Sequence, residues 1–166
     1  MSHALRFTTE YVDREDRVRI THHLANGSVE CTWLTQRLLN YLLPHLVSWL
    51  EQTVKSIPRA DVLQAFAQEV AASKLTAQAP VLPVDAKKIW LVDSVDLKTT
   101  SEGISLTFKA NGDAQSLVVT MGAEPLRQWL SILKGQYTKA QWPLSAWPEW
   151  LSEPARPAQH QANMLH

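Results

Sequence analysis

The sequence predicts an α+β protein in which a strand–strand–strand–helix unit is written twice. Asn26-Gly27 and Asn111-Gly112 each join two runs in which apolar residues alternate, and Asn-Gly readily adopts the positive φ angles of a tight hairpin turn. A third strand-like run precedes each hairpin, and an apolar helix-like run follows it. We therefore expect two pseudo-repeated βββα units, with antiparallel sheets covered on one face by helices and an extra helix between the halves.

The composition is that of a globular protein with no general attraction to polyanions. Hydrophobic residues make up 45% of the 166 residues, and 16 Lys and Arg balance 16 Asp and Glu. A net charge of zero argues against non-specific binding to nucleic acid or to an anionic membrane. The single cysteine, Cys31, cannot form an intramolecular disulfide, and the first residues lack the apolar core of a signal peptide. Both observations predict a cytoplasmic protein.

The first half is interpreted as three strands and a helix. The strands are predicted at residues 5–13, 17–24 and 28–34. Thr35 is the expected N-cap of a helix that runs from Leu38 to Leu50. These thirteen residues carry no formal charge. The helix is too short for a bilayer span, which needs roughly 20 apolar residues, and should be buried on most sides by its own core or by a partner. Pro44 should kink or break it.

Alternation within the first unit sorts its side chains onto two faces. Leu5, Phe7 and Tyr11 share one face of the first strand. A two-residue loop in the first hairpin would pair His22 with Cys31 on the apolar face and direct the arginines of the hairpin to the other face.

A second helix and a linker connect the halves. Pro58 fits the first position of this helix, and Val62, Phe66 and Val70 form an apolar stripe at four-residue spacing. Residues 75–88 contain two prolines and no periodicity, which is typical of a linker. The expected organisation is one compact domain made of a first unit with the second helix, the linker, a second unit with a Trp-Pro arm, and a flexible tail, at residues 1–74, 75–88, 89–151 and 152–166.

The second half repeats the order of the first. Its strands are predicted at residues 89–97, 103–109 and 114–121. A two-residue loop would pair Phe108 with Gln115, and Gly135 is expected to end the third helix. The core-facing stripe of this helix has i, i+3, i+4 and i+7 spacing, at Leu126, Trp129, Leu130 and Leu133.

The sequence assigns no catalytic, metal-binding or cofactor-binding residue. A thiol beside an imidazole, as expected for Cys31 and His22, is the minimal part of a cysteine nucleophile, but apolar neighbours favour a packed core pair. His22 and His23 point to opposite faces of a strand, so they cannot share a metal ion. Asp93 and Asp96 fit solvated positions at a strand edge. The sequence therefore favours a protein that is not an enzyme, and a thiol enzyme around Cys31 stays an alternative.

Association with other protein chains is the leading functional hypothesis, in a homo-oligomer, a scaffold or an accessory subunit. The apolar first helix and the aromatic arm motivate it, because buried aromatic anchors dominate many interfaces. The candidate partner-binding residues are Trp142, Trp147, Trp150, Tyr41 and Trp49. Packing of the arm across its own sheet, or onto a twin subunit, is the favoured interpretation of the arm residues.

Binding of single-stranded nucleic acid is the alternative hypothesis. It would use the outward basic face of the first sheet, at Arg6, Arg17, Arg19 and His23. Such binders combine cations with aromatic stacking platforms. Because Phe7, Tyr11 and Trp33 are expected on the opposite, apolar face, a solvated charged surface is the favoured interpretation of these residues.

Overall fold

The computed structural model describes residues 1–53 and 59–151. Pro58 and the predicted tail at residues 152–166 therefore lie outside the described residues. The elements, in chain order, are β1 (Ser2–Val12), β2 (Arg17–Leu24), β3 (Val29–Leu34), α1 (Gln36–Gln52), α2 (Ala60–Ser73), a 3-10 helix (Pro83–Asp85), β4 (Ala86–Leu91), β5 (Ser94–Thr99), β6 (Ile104–Ala110), β7 (Gln115–Met121), α3 (Ala123–Ala140) and a second 3-10 helix (Glu149–Leu151).

The strands form one mixed sheet in the order β4-β3-β2-β1-β7-β6-β5. The first three strands and the last three are antiparallel meanders, whereas β1 pairs with β7, and β3 with β4, in parallel. The predicted α+β class is confirmed, with α2 between the strand groups, but the sheet is mixed rather than antiparallel throughout. The order βββα occurs in both halves, while the internal duplication itself is not confirmed.

The sheet curls so that the C-terminal end of β4 comes close to the start of β5, because these strands are consecutive in the chain and lie at opposite ends of the strand order. A flat sheet would separate them by about 29 Å, at ~4.8 Å per strand. Val92 N–H donates to the Trp33 carbonyl of β3 (3.0 Å), and Asp93 N–H donates to the Lys109 carbonyl of β6 (2.8 Å). The chain therefore crosses from one half of the sheet to the other at this corner. The single strand predicted over residues 89–97 is corrected to two.

β1 forms a second corner, where the chain leaves one neighbour and joins another. It pairs with β7 only at Ser2 and His3, and with β2 from Ala4 onward, with a register shift that leaves Leu5 unpaired. Such a bulge rotates the extra residue out of the ladder. Leu5 is therefore exposed, and the expectation that it shares the inner face of Phe7 is wrong.

The first hairpin has a three-residue loop, and this exchanges the predicted inner and outer faces of β3 while those of β2 stand. Leu24 N–H donates to the Ser28 carbonyl (2.9 Å), and Gly27 has φ +85°, a geometry that belongs to a longer loop than the two-residue one expected. His22 consequently pairs with Glu30 rather than with Cys31. A one-residue slip exchanges the two faces of a strand, so the inner and outer faces of β3 are the reverse of those predicted.

The second hairpin is shifted by two residues, which leaves the predicted faces intact. Asn111, Gly112 and Asp113 all have positive φ angles, and the loop runs over residues 111–114. Phe108 therefore pairs with Leu117 rather than with Gln115. Because the side-chain period of a strand is two, an even shift keeps every apolar residue on the predicted face.

Helices α1 and α3 both run past the residues expected to interrupt them. Thr35 caps α1 as predicted, since its Oγ1 accepts from Leu38 N–H (3.2 Å). α1 continues through Pro44, which is exposed, so the helix bond that proline cannot make is lost on the solvent side. α3 continues through Gly135 to Ala140. The fully buried Tyr137 anchors this last turn in the core.

Helix α2 buries its polar side rather than the predicted apolar stripe. Val62 and Phe66 are exposed, whereas Gln64 and Gln68 are buried. Gln64 Nε2 donates to the Leu50 carbonyl of α1 (2.7 Å), and Gln68 Nε2 donates to the Arg127 carbonyl of α3 (2.8 Å). Side-chain hydrogen bonds to neighbouring helices, which periodicity does not report, therefore orient α2.

One apolar core joins both halves, and a connecting segment covers part of the outer face. The rings of His22 in β2 and Phe108 in β6 are 6.0 Å apart, and one buried cluster contains residues from both meanders, α1 and α3. Between α2 and β4, Val81 is buried, and its N–H donates to Thr8 Oγ1 on the outer face of β1 (2.9 Å). No helix of the described residues is long and apolar enough to span a bilayer.

Candidate interaction surface

Three of the five predicted partner-binding aromatic residues lie in the core of their own chain. Trp142, Trp147 and Trp49 are buried. The rings of Trp142 and Trp147 meet the Tyr137 ring edge to face at 5.1 and 5.2 Å. Trp49 Nε1–H donates to the Thr100 carbonyl (3.3 Å). The Trp-Pro arm therefore packs on its own chain, as the favoured interpretation of the arm residues allowed.

The other two aromatic residues are more accessible. Trp150 is half-buried, its Nε1–H donates to Glu51 Oε1 (3.1 Å), and the Arg127 guanidinium lies 5.5 Å from its ring centre. Tyr41 lies on the solvent side of α1 with 65% of its surface exposed, and the Arg37 guanidinium is 5.9 Å from its ring. Of the five, Tyr41 alone presents most of its side chain to solvent.

The predicted basic residues share the outer face of β1 and β2. They are Arg6, Arg17, Arg19 and His23. The Arg19 guanidinium donates two hydrogen bonds to Glu10 Oε1 and lies 5.6 Å from the centre of the Trp33 ring. Trp33 was expected on the opposite face, and the one-residue shift of the hairpin brings it here. A phosphate group would have to compete with Glu10 for Arg19.

His22 and Cys31 are on opposite faces of the sheet, so the expected thiol–imidazole pair does not form. Cys31 pairs with Thr21, its Sγ is 3.5 Å from Thr21 Oγ1, and burial raises the pKa of its thiol. His22 Nε2 is 2.9 Å from Thr32 Oγ1 on the inner face. A buried thiol with a raised pKa has little thiolate to act as a nucleophile.

The acidic residues near β5 have structural partners. Asp93 Oδ2 accepts the Asn111 N–H (2.9 Å) at the second hairpin loop. Asp96 and Asp113 both accept from the Lys109 ammonium, and these two contacts raise the pKa of Lys109. In the described residues, no group of three histidine, cysteine or acidic side chains could hold a metal ion.

An exposed apolar stretch leads into and along β4, and the sequence interpretation did not single it out. Leu82, Val84, Ile89 and Leu91 are all exposed, with 83% for Val84 and 60% for Ile89. Leu91 pairs with Trp33 and Ile89 with Cys31, so both side chains extend the outer face of β3. The sequence signal for such a surface is the Lys87-Lys88 pair that precedes the apolar run, since lysines are common on edge strands.

The main chain of β4 is open along one side. β4 ends the strand order next to β3, and Val92 N–H points toward β3 because it donates to the Trp33 carbonyl. Main-chain groups alternate sides along a strand, so those of Ile89 and Leu91 point away from β3. The outer face of β4 therefore combines exposed apolar side chains with a free strand edge, a surface that can be extended by another strand.

In the comparisons with known proteins, no family model, no curated protein and no solved structure matches this chain.

Proposed function

We propose that this protein acts by association, and that it pairs with a second copy of itself through the free edge of β4. One observation carries the proposal: the edge strand presents Ile89 and Leu91 to solvent together with outward-pointing main-chain groups. Burial of apolar side chains and the formation of strand hydrogen bonds both favour pairing there.

The sequence of β4 suits pairing about a two-fold axis. An antiparallel partner centred on Trp90 places Ile89 opposite Leu91 of the second copy. This pair joins two exposed apolar side chains, and side chains that are directly opposed across an antiparallel pair of strands are close enough to stabilise it. A two-fold contact of this kind closes on itself, so it predicts a dimer rather than a filament.

Lysines on an edge can also serve the opposite purpose. Natural sheets place Lys at exposed edges to discourage pairing with other chains, and Lys87 and Lys88 are positioned for that. In the proposed register only Lys87 faces the outer side of the new pair, and it lies near the start of β4, outside the opposed Ile89 and Leu91 side chains. Lys88 pairs with Glu30 within its own chain, and its Nζ lies 4.0 Å from Glu30 Oε1.

Sedimentation equilibrium over a hundredfold range of protein concentration tests the proposal. Wild type should show a concentration-dependent dimer. Ile89→Lys should raise the dissociation constant of this dimer at least about tenfold, or ~1.4 kcal/mol, because the two-fold contact places a charged lysine from each copy among the apolar side chains. Phe66→Lys is the matched control, since Phe66 is similarly exposed (64%) on α2 and lies away from β4.

Two outcomes would contradict the proposal. One is a wild-type protein that stays monomeric at every concentration. The other is a dimer that Phe66→Lys dissociates and Ile89→Lys leaves unchanged, which would move the contact to α2. Circular dichroism of both variants establishes that they are folded.

A further inference from the structure

A cavity of about 560 Å³ lies beside β1, where that strand diverges from β7. Three parts of the chain form its walls: the residues 6–9 of β1, the residues 74–80 that follow α2, and Pro125, Gln128, Trp129 and Ile132 of α3. The volume falls within the range of about 300–1,000 Å³ that is usual for ligand pockets. It is distinct from the free edge of β4.

The edge of β1 that faces this cavity carries unused main-chain groups. Tyr11 N–H donates to Gln136 Oε1 of α3 (2.8 Å), which identifies the edge that points away from β2. Main-chain groups alternate sides along a strand, so those of Thr9 and Phe7 point the same way. β7 pairs only with the first residues of β1, so neither it nor Gln136 reaches Phe7 and Thr9.

The polar side chains around the cavity are largely engaged elsewhere. Thr9 Oγ1 accepts from Trp129 Nε1 (3.0 Å), and Thr8 Oγ1 accepts from Val81 N–H (2.9 Å). Gln128 Nε2 donates to the Ala71 carbonyl (3.1 Å). The capacity for new hydrogen bonds therefore lies chiefly in the main chain of β1, which favours a ligand with its own main chain over one covered with hydroxyl groups.

The cavity also carries an uncompensated positive charge. Arg6 Nη1 donates to the Ala79 carbonyl (3.0 Å), and no carboxylate of the described residues is within ion-pair distance of it. Lys74, the other cation, is paired with Glu124 (3.5 Å). A ligand with a negative charge near Arg6 would complement this site.

We infer that the cavity binds an extended peptide that contains an acidic residue, and that this peptide adds a short strand to β1 at Phe7 and Thr9. Its main chain pairs with these two residues, as in other cases of strand addition. Its carboxylate contacts Arg6, and its apolar side chains pack against Pro125 and Ile132.

An NMR titration of ¹⁵N-labelled full-length protein tests the inference, with the peptide acetyl-Thr-Val-Glu-Val-amide as the probe. The amide signals of Phe7 and Thr9 should shift and saturate. Two matched ligands accompany it: the same peptide with N-methyl groups on its backbone, which removes strand hydrogen bonds, and free glutarate, which supplies carboxylates alone. Both should bind at least about tenfold more weakly than the peptide.

Variants of the cavity give a second measurement. Arg6→Glu should weaken peptide binding by about tenfold or more, because it reverses the charge at the mouth. Arg17→Glu is the control, since Arg17 lies on the same outer face but does not line the cavity, and it should bind the peptide as wild type does. Ile132→Trp should abolish binding by filling the space, with an unchanged far-ultraviolet circular dichroism spectrum.

Three results would overturn the inference. The first is the absence of shifts at Phe7 and Thr9 at millimolar peptide. The second is equal binding of the N-methylated peptide, which would exclude strand pairing. The third is equal binding of glutarate, which would leave an anion site only. The Ile89→Lys variant should bind the peptide normally, so this test does not depend on self-association.

Discussion

His22 lies on the inner face of β2 with its ring 6.0 Å from those of Phe7 and Phe108. Its Nε2 contacts Thr32 Oγ1, while its Nδ1 has no hydrogen-bond partner among the described residues. The apolar void beside the ring has no room for a water molecule. Burial therefore disfavours the charged imidazolium and lowers the pKa of His22 from 6.5 to about 3.

The folded protein should lose stability as the pH falls from about 6.5 toward 3. In this interval the unfolded chain binds a proton at His22 that the folded chain does not, so the free energy of unfolding decreases with decreasing pH. Above pH 6.5 none of this free energy of unfolding is lost. At about 1.4 kcal/mol per pKa unit, the full loss is on the order of a few kcal/mol. Urea unfolding at a series of pH values measures it.

His22→Leu removes this titration and should flatten the dependence of stability on pH in that interval. His23→Gln is the matched control, because His23 is the next residue on the same strand and is only half-buried; it should keep the wild-type slope. A wild-type slope in His22→Leu would show that His22 is not the group responsible.

For single residues, the sequence predicted the correct face of the sheet for His22 and the wrong face for Cys31. Alternation along β2 correctly placed His22 inside. Cys31 was assigned through the loop, and Asn-Gly occurs in both two-residue and three-residue hairpins, which differ by one in register. That single residue decides which side of β3 faces inward. It also moved Trp33 to the side of Arg19, and so changed the predicted composition of the basic face.

Among the elements, the β6–β7 pair is closely packed at its open end, where Gly103 precedes β6. A Cβ atom at Gly103 would lie 2.9 Å from the Met121 carbonyl oxygen, whereas one at Gly122 would find its nearest neighbour at 3.6 Å. The first distance requires a backbone shift, and the second is an ordinary contact.

Gly103→Ala should therefore destabilise the protein by about 1–3 kcal/mol. Gly122→Ala, at the neighbouring N-cap of α3, should cost less than about 1 kcal/mol. Chemical denaturation of both variants measures the difference. Equal effects would mean that the ends of the two strands are not packed as closely as described.

The elements also show where local patterns are sufficient and where they are not. α3 presents the predicted stripe to the core, with Leu126, Trp129, Leu130 and Leu133 all buried, because apolar burial alone orients it. α2 does not, because Gln64 and Gln68 find main-chain acceptors on α1 and α3. A side chain that satisfies a helix end or a buried carbonyl can outweigh an apolar stripe, and periodicity does not contain that information.

For the whole molecule, the shared core predicts one cooperative unfolding transition rather than two. Side chains from both meanders, α1 and α3 belong to one buried cluster, and the corner at Val92–Asp93 ties the halves together by main-chain bonds. Unfolding followed by tryptophan fluorescence and by far-ultraviolet circular dichroism should give coincident curves. Two separate transitions would indicate that the halves are independent units.

The arrangement of the whole molecule was the least predictable level. Periodicity gave most strands and their order along the chain, but it does not state which strand lies beside which. The parallel β1–β7 and β3–β4 contacts, the corner, and therefore the free edge of β4, arise from the closing of the sheet. The sequence does not show which strand becomes the edge of the sheet. The surface on which the proposed association depends could therefore not be predicted from it.

The pairing of β1 with β7 has a consequence for biosynthesis. Ser2 lies beside Leu117, and Tyr11 is bonded to Gln136, so β1 is synthesised well before its partners in β7 and α3. Contacts so distant in sequence form late. The β1–β2–β3 meander can pair within itself early, but Ser2 and Tyr11 remain without these partners until β7 and α3 have been made.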